Sequence, residues 1–207
     1  MVRYQYTFLD LIASSCPALR TLWIAGPLEK VRDVDFASFV QSLCCLRRLF
    51  LSGDISVSAT NQMLKANTAA LAPRLESFGL LDLTNFPDPE PFRTFMLNCR
   101  SLRHLSLGGS EGHDHLKVMT GRLLAHVLEA NPLRVIDGDW LSSQLLEQMP
   151  LSSASVQSLK KLRSLRQRGR SSNAVSALQR VSNRLRLLDF CMYDITTDLF
   201  SAIGRQK

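Results

Sequence analysis

The chain has 207 residues, 45% of them hydrophobic, and a net charge of +7 at pH 7. This hydrophobic content is typical of a globular protein. No apolar run approaches the length of a transmembrane helix, so the sequence predicts no membrane span. The first residues lack the apolar segment of a secretory signal, and the five cysteines form no disulfide-like cluster at either end. These features predict a protein of a reducing compartment, in the cytoplasm or the nucleus.

A leucine followed by alternating apolar residues recurs along the chain, usually with an arginine directly after it. The second and third apolar positions of each copy alternate, as the buried face of a β-strand requires. A period of 20–29 residues with the pattern L-x-x-L-x-L is typical of a leucine-rich repeat. The first leucines lie 23 to 31 residues apart, at positions 19, 46, 75, 102, 133, 162 and 185.

Segments between these strands show the spacing of amphipathic helices. Residues 8–12 are the first candidate. Asp33 is a candidate N-cap, Pro91 a favoured first residue, and Asn131 with Pro132 a stop signal. In chain order the apolar positions are Phe36, Phe39, Val40 and Leu43; Phe92, Phe95 and Met96; Leu123, Leu124, Val127 and Leu128; and Val175, Leu178 and Val181.

Strands alternating with helices at this period predict an α/β leucine-rich-repeat solenoid, with a curved parallel β-sheet inside and helices outside. About seven irregular repeats account for residues 1–207 as a single domain. An ordinary α/β domain with coincidental spacing is the alternative. The layout is least regular over residues 141–172, where the sixth unit begins at Leu162 or, in a second register, at Leu159.

Two cysteine-containing segments, 15–22 and 98–107, resemble the repeats of F-box leucine-rich-repeat proteins, and the irregular unit lengths are similar to those of fungal members. In each segment a cysteine lies three residues before the repeat leucine: Cys16 before Leu19, and Cys99 before Leu102. Cys44 and Cys45 lie just before Leu46, and this shared phase predicts small buried positions and not disulfide bridges. The resemblance implies the substrate-recognition part of a ubiquitin-ligase adaptor, with SCF-type ligase subunits as partners. The sequence has no F-box. Neither end has an obvious polar cap, so we expect the C-terminal portion of a longer protein, a truncated paralogue or a chain that pairs through an open end.

The residues between the apolar positions of each strand should face the concave groove, where we expect another protein to bind. Trp23 and Phe50 occupy equivalent positions on adjacent strands, about 5 Å apart. They either anchor a partner or pack beneath an N-terminal segment containing Tyr4 and Tyr6. The candidate partner-binding residues are Trp23, Arg48, Phe50, His104, Asp137, Asp139, Arg166, Arg168 and Asp189.

Two sets of charges accompany this groove. The acidic and basic candidates on the last three strands either pair with one another or orient a partner. The arginines that follow the repeat leucines form one edge of the predicted sheet. They either make an anion-binding ladder or lay their stems on apolar surface. This second set is Arg20, Arg47, Arg103, Arg134, Arg163 and Arg186.

A basic segment lies late in the chain. Nine of the 25 Lys and Arg residues fall within 148–188, which contains no Asp or Glu. Within it, residues 160–170 form a solvated loop or helix face, a nuclear-import tract, or a phosphate-binding surface of a nuclear factor. It has no aromatic residue for base stacking. Its densest charges are Lys160, Lys161, Arg163, Arg166, Arg168 and Arg170.

No motif in the sequence indicates catalysis. The loop 109–115 contains His113 and His115, but no further metal ligand follows at a usual spacing. The chain has neither a nucleophile elbow nor a phosphate-cradling glycine loop. We expect no enzyme, no cofactor and no metal. Besides the adaptor, the open interpretations are the basic nuclear factor and a repeat fragment without a function of its own.

Overall fold

The computed structural model describes residues 9, 11–26, 32–83, 85–109, 119–137, 145, 149, 152–159, 162, 164–169, 187–192 and 198. Within these residues seven parallel strands form one sheet, and their order in the sheet is their order in the chain. The strands are β1 (Thr21–Ala25), β2 (Arg48–Ser52), β3 (Ser77–Leu83), β4 (His104–Gly109), β5 (Val135–Asp137), β6 (Ser164–Gly169) and β7 (Leu187–Met192).

Each strand begins two residues after a repeat leucine, so all seven predicted strand positions are confirmed. β6 starts at Ser164, and Leu162 is buried. The register from Leu162 is therefore the correct one for the sixth unit. The repeat pattern locates strands well because a leucine before the strand and two alternating apolar residues within it are buried on one face of the sheet.

The start of the sheet is held by a recurring hydrogen-bond arrangement. The carbonyl of Arg20 accepts from the N–H groups of both Arg47 and Arg48, each at 2.9 Å. The carbonyls of Arg47, Glu76 and Arg103 accept in the same way from residues 76–77, 103–104 and 134–135. Five successive units are consequently in register at the residue that precedes each strand.

Helices connect the strands and pack against their neighbours in the chain. They are α1 (Asp33–Ser42), α2 (Val57–Asn67), α3 (Pro89–Asn98), α4 (Gly121–Ala130) and α5 (Ser153–Leu159), with a 3₁₀ turn at Ala72–Arg74. Contacts join α1 to α2, α2 to α3, α3 to α4 and α4 to α5. None of these helices combines the length and apolar character needed to cross a membrane, a finding that covers the described residues only.

Three of the predicted helices are confirmed, with corrected ends. Asp33 is the first helical residue and not the cap, which is Arg32. α3 begins at Pro89, so Pro91 lies inside its first turn. α4 ends at Ala130, directly before the predicted stop signal at Asn131. Residues 9 and 11–15 are helical, while the candidate around Val175 lies outside the described residues.

One face of the sheet and the inner faces of the helices form a single apolar core. Leu49, Phe78 and Leu105 on successive strands are all fully buried. From the helices, Phe95 packs against Phe78 with ring centroids 5.2 Å apart. The predicted α/β class with a parallel sheet is therefore confirmed. The other face of the sheet remains available to solvent at β1 and β2.

A buried asparagine at the end of α4 joins that helix to the preceding unit. The Asn131 amide donates to the carbonyls of Val127 at 3.0 Å and Cys99 at 3.2 Å, and its oxygen accepts from the Leu102 N–H at 2.9 Å. Asn67 makes the two donor bonds of this arrangement at the end of α2, to the carbonyls of Met63 and, one unit back, Ala37, while its own oxygen has no partner among the described residues. The two amides donate hydrogen bonds to backbone carbonyls that would otherwise have no partner at the end of a helix.

Candidate binding surface

The face of the sheet opposite the core carries the candidate residues, and we call it the open face. In register order its first row is Thr21, Arg48, Ser77, His104 and Val135, and its second row is Trp23, Phe50, Gly79, Ser106 and Asp137. Exposure falls along these rows, from exposed positions on β1 to buried ones on β3. The burial pattern alternates as predicted over β1, β2 and β5, whereas on β4 both Ser106 and its apolar neighbours are buried.

Two aromatic side chains lie together at the exposed end of the second row. Trp23 pairs in register with Phe50, and their ring centroids are 5.7 Å apart with planes tilted by 40°. Trp23 is 64% exposed, whereas Phe50 is half-buried. The predicted adjacency is confirmed. Tyr4 and Tyr6, which the alternative interpretation places over Trp23, lie outside the described residues.

Phe50 reaches across an entire strand to contact His104, because the intervening residue is glycine. The Phe50 and His104 ring centroids are 5.6 Å apart. A Cβ atom on Gly79 would lie 2.4 Å from Cδ1 of Phe50, closer than real contacts allow. The ring therefore occupies the space that a side chain at position 79 would take. Trp23, Phe50 and His104 form one continuous set of ring contacts, which we call the aromatic row.

The hydroxyl of Ser106 is buried beside this row. Ser106 is fully buried, and its Oγ has no hydrogen-bond partner among the described residues. Its Cβ lies 3.4 Å from the position that a Gly79 Cβ would take. An unpartnered buried hydroxyl costs about 1–3 kcal/mol. Close packing around Gly79 is thus accompanied by a buried hydroxyl, that of Ser106, which makes no hydrogen bond within the described residues.

Arginines line the start of the strands beside the aromatic row. Arg20, Arg103 and Arg134 are exposed, Arg47 is half-buried, and Arg48 is exposed on the open face itself. None of the five forms an ion pair within the described part of the chain, where the pairs found are Arg32–Asp35 and Arg93–Glu90. The single acid in this set of positions is Glu76, between Arg47 and Arg103. We call these five arginines and Glu76 the arginine edge.

The far end of the predicted site is described only in part. Asp137 is half-buried on β5, and its backbone aligns with Arg166, which in turn aligns with Asp189. The three positions are therefore neighbours, as predicted. The side chains of Arg166, Arg168 and Asp189 and the whole of Asp139 lie outside the described residues, so pairing among them stays a prediction.

The basic segment is described through β6, which its central part forms. Residues 164–169 are strand, and not the loop or helix that the sequence favoured for 160–170 as a whole. Arg166 and Arg168 are two residues apart in β6, so strand alternation places both on the same face of the sheet, as their predicted position in the groove requires. Lys160, Lys161, Arg163 and Arg170 lie outside the described residues.

The cysteines correct one further expectation. Their shared phase predicted small buried positions, yet Cys16 and Cys44 are exposed and only Cys99 is buried among the four described. Burial raises the pKa of the Cys99 thiol to about 12, with a smaller opposing effect from Arg100. Its Sγ lies 3.5 Å from the Phe95 carbonyl. This thiol is therefore neutral at physiological pH and packs as an apolar group.

Metal chemistry finds no support in the described residues, which contain no group of three or more His, Cys, Asp or Glu side chains suited to a metal ion. The thiols of Cys44 and Cys45 lie 3.9 Å apart. His113 and His115 lie outside the described residues. Comparison with protein-family models and with curated proteins finds no match. The aromatic row and the arginine edge are consequently the features of the described residues that bear on function.

Proposed function

We propose that the chain is a leucine-rich-repeat solenoid that binds another protein on the open face of its sheet. Residues 1–207 form one domain of about seven repeats. The observation that carries the proposal is the exposed Trp23 side chain, whose ring packs at a tilt against Phe50 on the neighbouring strand. The chain acts by binding and has no catalytic role.

Support for the solenoid comes from the order of its parts. Strands recur in the sheet in chain order, and each of the helices α1 to α4 packs against the next one in the chain. Asn67 and Asn131 connect each of their helices to the preceding unit. Stacked units whose cores are completed by their neighbours are what defines a repeat protein. The L-x-x-L-x-L pattern assigns the type of repeat.

Support for binding comes from the unfavourable free energy of exposing the aromatic row to water. Covering the exposed part of a tryptophan removes on the order of 100 Å² of apolar surface from water, roughly 2–3 kcal/mol. For this reason tryptophan is enriched among the residues that contribute most to the binding energy of protein interfaces. Its ring also loses little conformational entropy on binding. Phe50 is fixed against Gly79 and His104, so the surface beneath a partner is already ordered.

The cysteine-containing repeats support a more specific role. They resemble those of F-box proteins, which suggests that the bound protein is a substrate delivered to a ubiquitin ligase. This part of the proposal rests on the resemblance of segments 15–22 and 98–107. Purified cullin-type ligase subunits that fail to associate with the chain, alone or with its bound partner, would refute the adaptor role while leaving protein binding intact.

Affinity purification from the native host, followed by titration of the identified partner in purified form, tests the binding proposal. Trp23→Ala and Phe50→Ala should each weaken the partner's affinity about tenfold or more. Val34→Ala is the matched control, because Val34 is 62% exposed on α1 and far from the open face in the fold. Its affinity should equal that of the wild type.

Stability measurements on the same variants separate binding from packing. Trp23→Ala should change the free energy of unfolding by less than about 1 kcal/mol, since most of the ring is already exposed. A loss above about 3 kcal/mol, typical of a buried aromatic, would make Trp23 a packing residue. Equal weakening by Val34→Ala would place the partner elsewhere.

A further inference from the structure

We propose that the segment held on the open face is an extended acidic peptide, with a large apolar side chain on the aromatic row and alternate carboxylates on the arginine edge. This inference rests on the proposed function and names the chemistry of its partner. Five arginines and one glutamate make the arginine edge strongly positive. None of those arginines has an acidic partner in the described part of the chain.

The two surfaces run side by side across the strands. Arg48 precedes Phe50 by two residues on the same strand and face, which places their Cα atoms about 7 Å apart. The other members of the arginine edge, at residues 20, 47, 76, 103 and 134, lie three residues before the second row of the open face, on successive strands about 4.8 Å apart. A partner crossing the strands between the two surfaces therefore meets rings on one side and guanidinium groups on the other.

An extended peptide matches that arrangement through its own alternation. Its successive side chains point to opposite sides, with about 7 Å between residues i and i+2. If residue i lies on Trp23, residues i−1 and i+1 face the arginine edge. Carboxylates suit those positions because the planar guanidinium binds them with two parallel hydrogen bonds. The expected motif is a large apolar residue with Asp or Glu on both sides.

A nucleic acid fits the same charges less well. Glu76 interrupts the arginine edge between Arg47 and Arg103, and Asp137 lies further along the open face. A nucleic acid strand carries a phosphate at every nucleotide and would meet one or both of these carboxylates. A peptide can place a neutral residue opposite each of them. The acid at position 76 thus favours a protein segment over a phosphate backbone.

Panning a random dodecapeptide phage library on the full chain tests the inference. Selected peptides should share an aromatic or large aliphatic residue flanked by Asp or Glu at alternate positions. A fluorescein-labelled synthetic copy should bind about tenfold more weakly to Arg48→Glu than to the wild type, and more weakly as salt is raised. Glu76→Gln should bind it several-fold more tightly, because that change removes the opposing charge.

Arg122→Glu is the matched control, since Arg122 is an exposed arginine on α4 with no described ion pair. It should leave the affinity unchanged. Arg48→Gln, a milder change, replaces Arg48→Glu if the latter does not fold by circular dichroism, and should weaken binding about threefold. The peptide in which the flanking acids are replaced by Asn or Gln should lose affinity equally on the wild type and on Arg122→Glu.

The other outcomes overturn the inference. Neutral or basic peptides that lose affinity on Trp23→Ala would refute the acidic partner and leave the proposed function standing. Peptides insensitive to both Trp23→Ala and Arg48→Glu would refute both proposals. Failure to enrich any peptide sequence, or displacement of the selected peptide by a single-stranded oligonucleotide, would also count against an acidic peptide on this surface.

Discussion

Adding one methyl group at Gly79 should displace the Phe50 ring and break its contacts with the other rings of the aromatic row. The new Cβ would lie 2.4 Å from Cδ1 and 3.0 Å from Cε1 of Phe50. Gly79 is not among the glycines with positive φ, which are Gly26 and Gly53 in the described residues. Its backbone therefore accepts alanine without strain. The cost of Gly79→Ala falls on the ring contacts.

The magnitude follows from two opposing effects. Overpacking a well-filled site costs roughly 1–3 kcal/mol. Replacing glycine within a strand recovers about 0.5–1 kcal/mol, because glycine loses the most backbone freedom on folding. Gly79→Ala should therefore lower the free energy of unfolding by about 0.5–2 kcal/mol. In a Phe50→Ala background the clash disappears, and the same change should stabilise the chain by up to about 1 kcal/mol.

A double-mutant cycle measured by urea unfolding provides the assay. The wild type, Gly79→Ala, Phe50→Ala and the double variant should show a coupling energy of about 1–3 kcal/mol between positions 79 and 50. Affinity for the partner should fall in Gly79→Ala because the ring no longer lies on β3. Additive effects within about 0.5 kcal/mol would show that Phe50 does not occupy the surface left open by Gly79, and would refute the reasoning.

Three further substitutions test the fold and the buried groups. Asn131→Ala leaves the Leu102 N–H and the Cys99 carbonyl without their side-chain partner and should destabilise the chain by about 2–4 kcal/mol in urea unfolding; a loss below about 1 kcal/mol would contradict this. Leu105→Ala should cost roughly 2–5 kcal/mol, because Leu105 is fully buried, and an unchanged melting temperature would contradict the strand register. The Cys99 pKa is raised from 9.0 to about 12 on folding, so the stabilising effect of its protonated form is complete below pH 9 and declines as pH rises towards 12. The wild type should lose about 1 kcal/mol per pH unit more than Cys99→Ala in that range, and parallel stability curves would refute the burial of the thiol.

Strand positions could be predicted because each depends on a local pattern. A leucine, a two-residue gap and alternating apolar residues define one face, and all seven strands follow that rule. Helix α2 could not be predicted in the same way. Its buried set includes Thr60, Asn61 and Asn67 beside Met63 and Leu64. Buried polar residues interrupt the apolar stripe by which an amphipathic helix is identified. The sequence does not reveal the hydrogen-bond partners that allow these residues to be buried.

The sequence predicts which positions form the candidate site, but it does not predict all the contacts between their side chains. Register placed Trp23 beside Phe50, which the ring distance confirms. The contact between Phe50 and His104 was missed because it spans a strand. Glycine inside a strand often marks close approach by another group, and Gly79 was the available signal. The corrected cysteine prediction has a similar cause, because sequence phase gives the position of Cys16 and Cys44 but not the coverage of their side chains.

The position of the aromatic row on β1 and β2 links recognition to the local stability of the sheet. In the described residues β1 pairs with β2 on one side alone. A strand with a single neighbour opens more readily than one held on both sides. A partner seated across Trp23 and Phe50 contacts both strands and so opposes their separation. Ligand binding should therefore slow amide exchange in β1, and affinity and the ordering of the first repeats should be thermodynamically coupled.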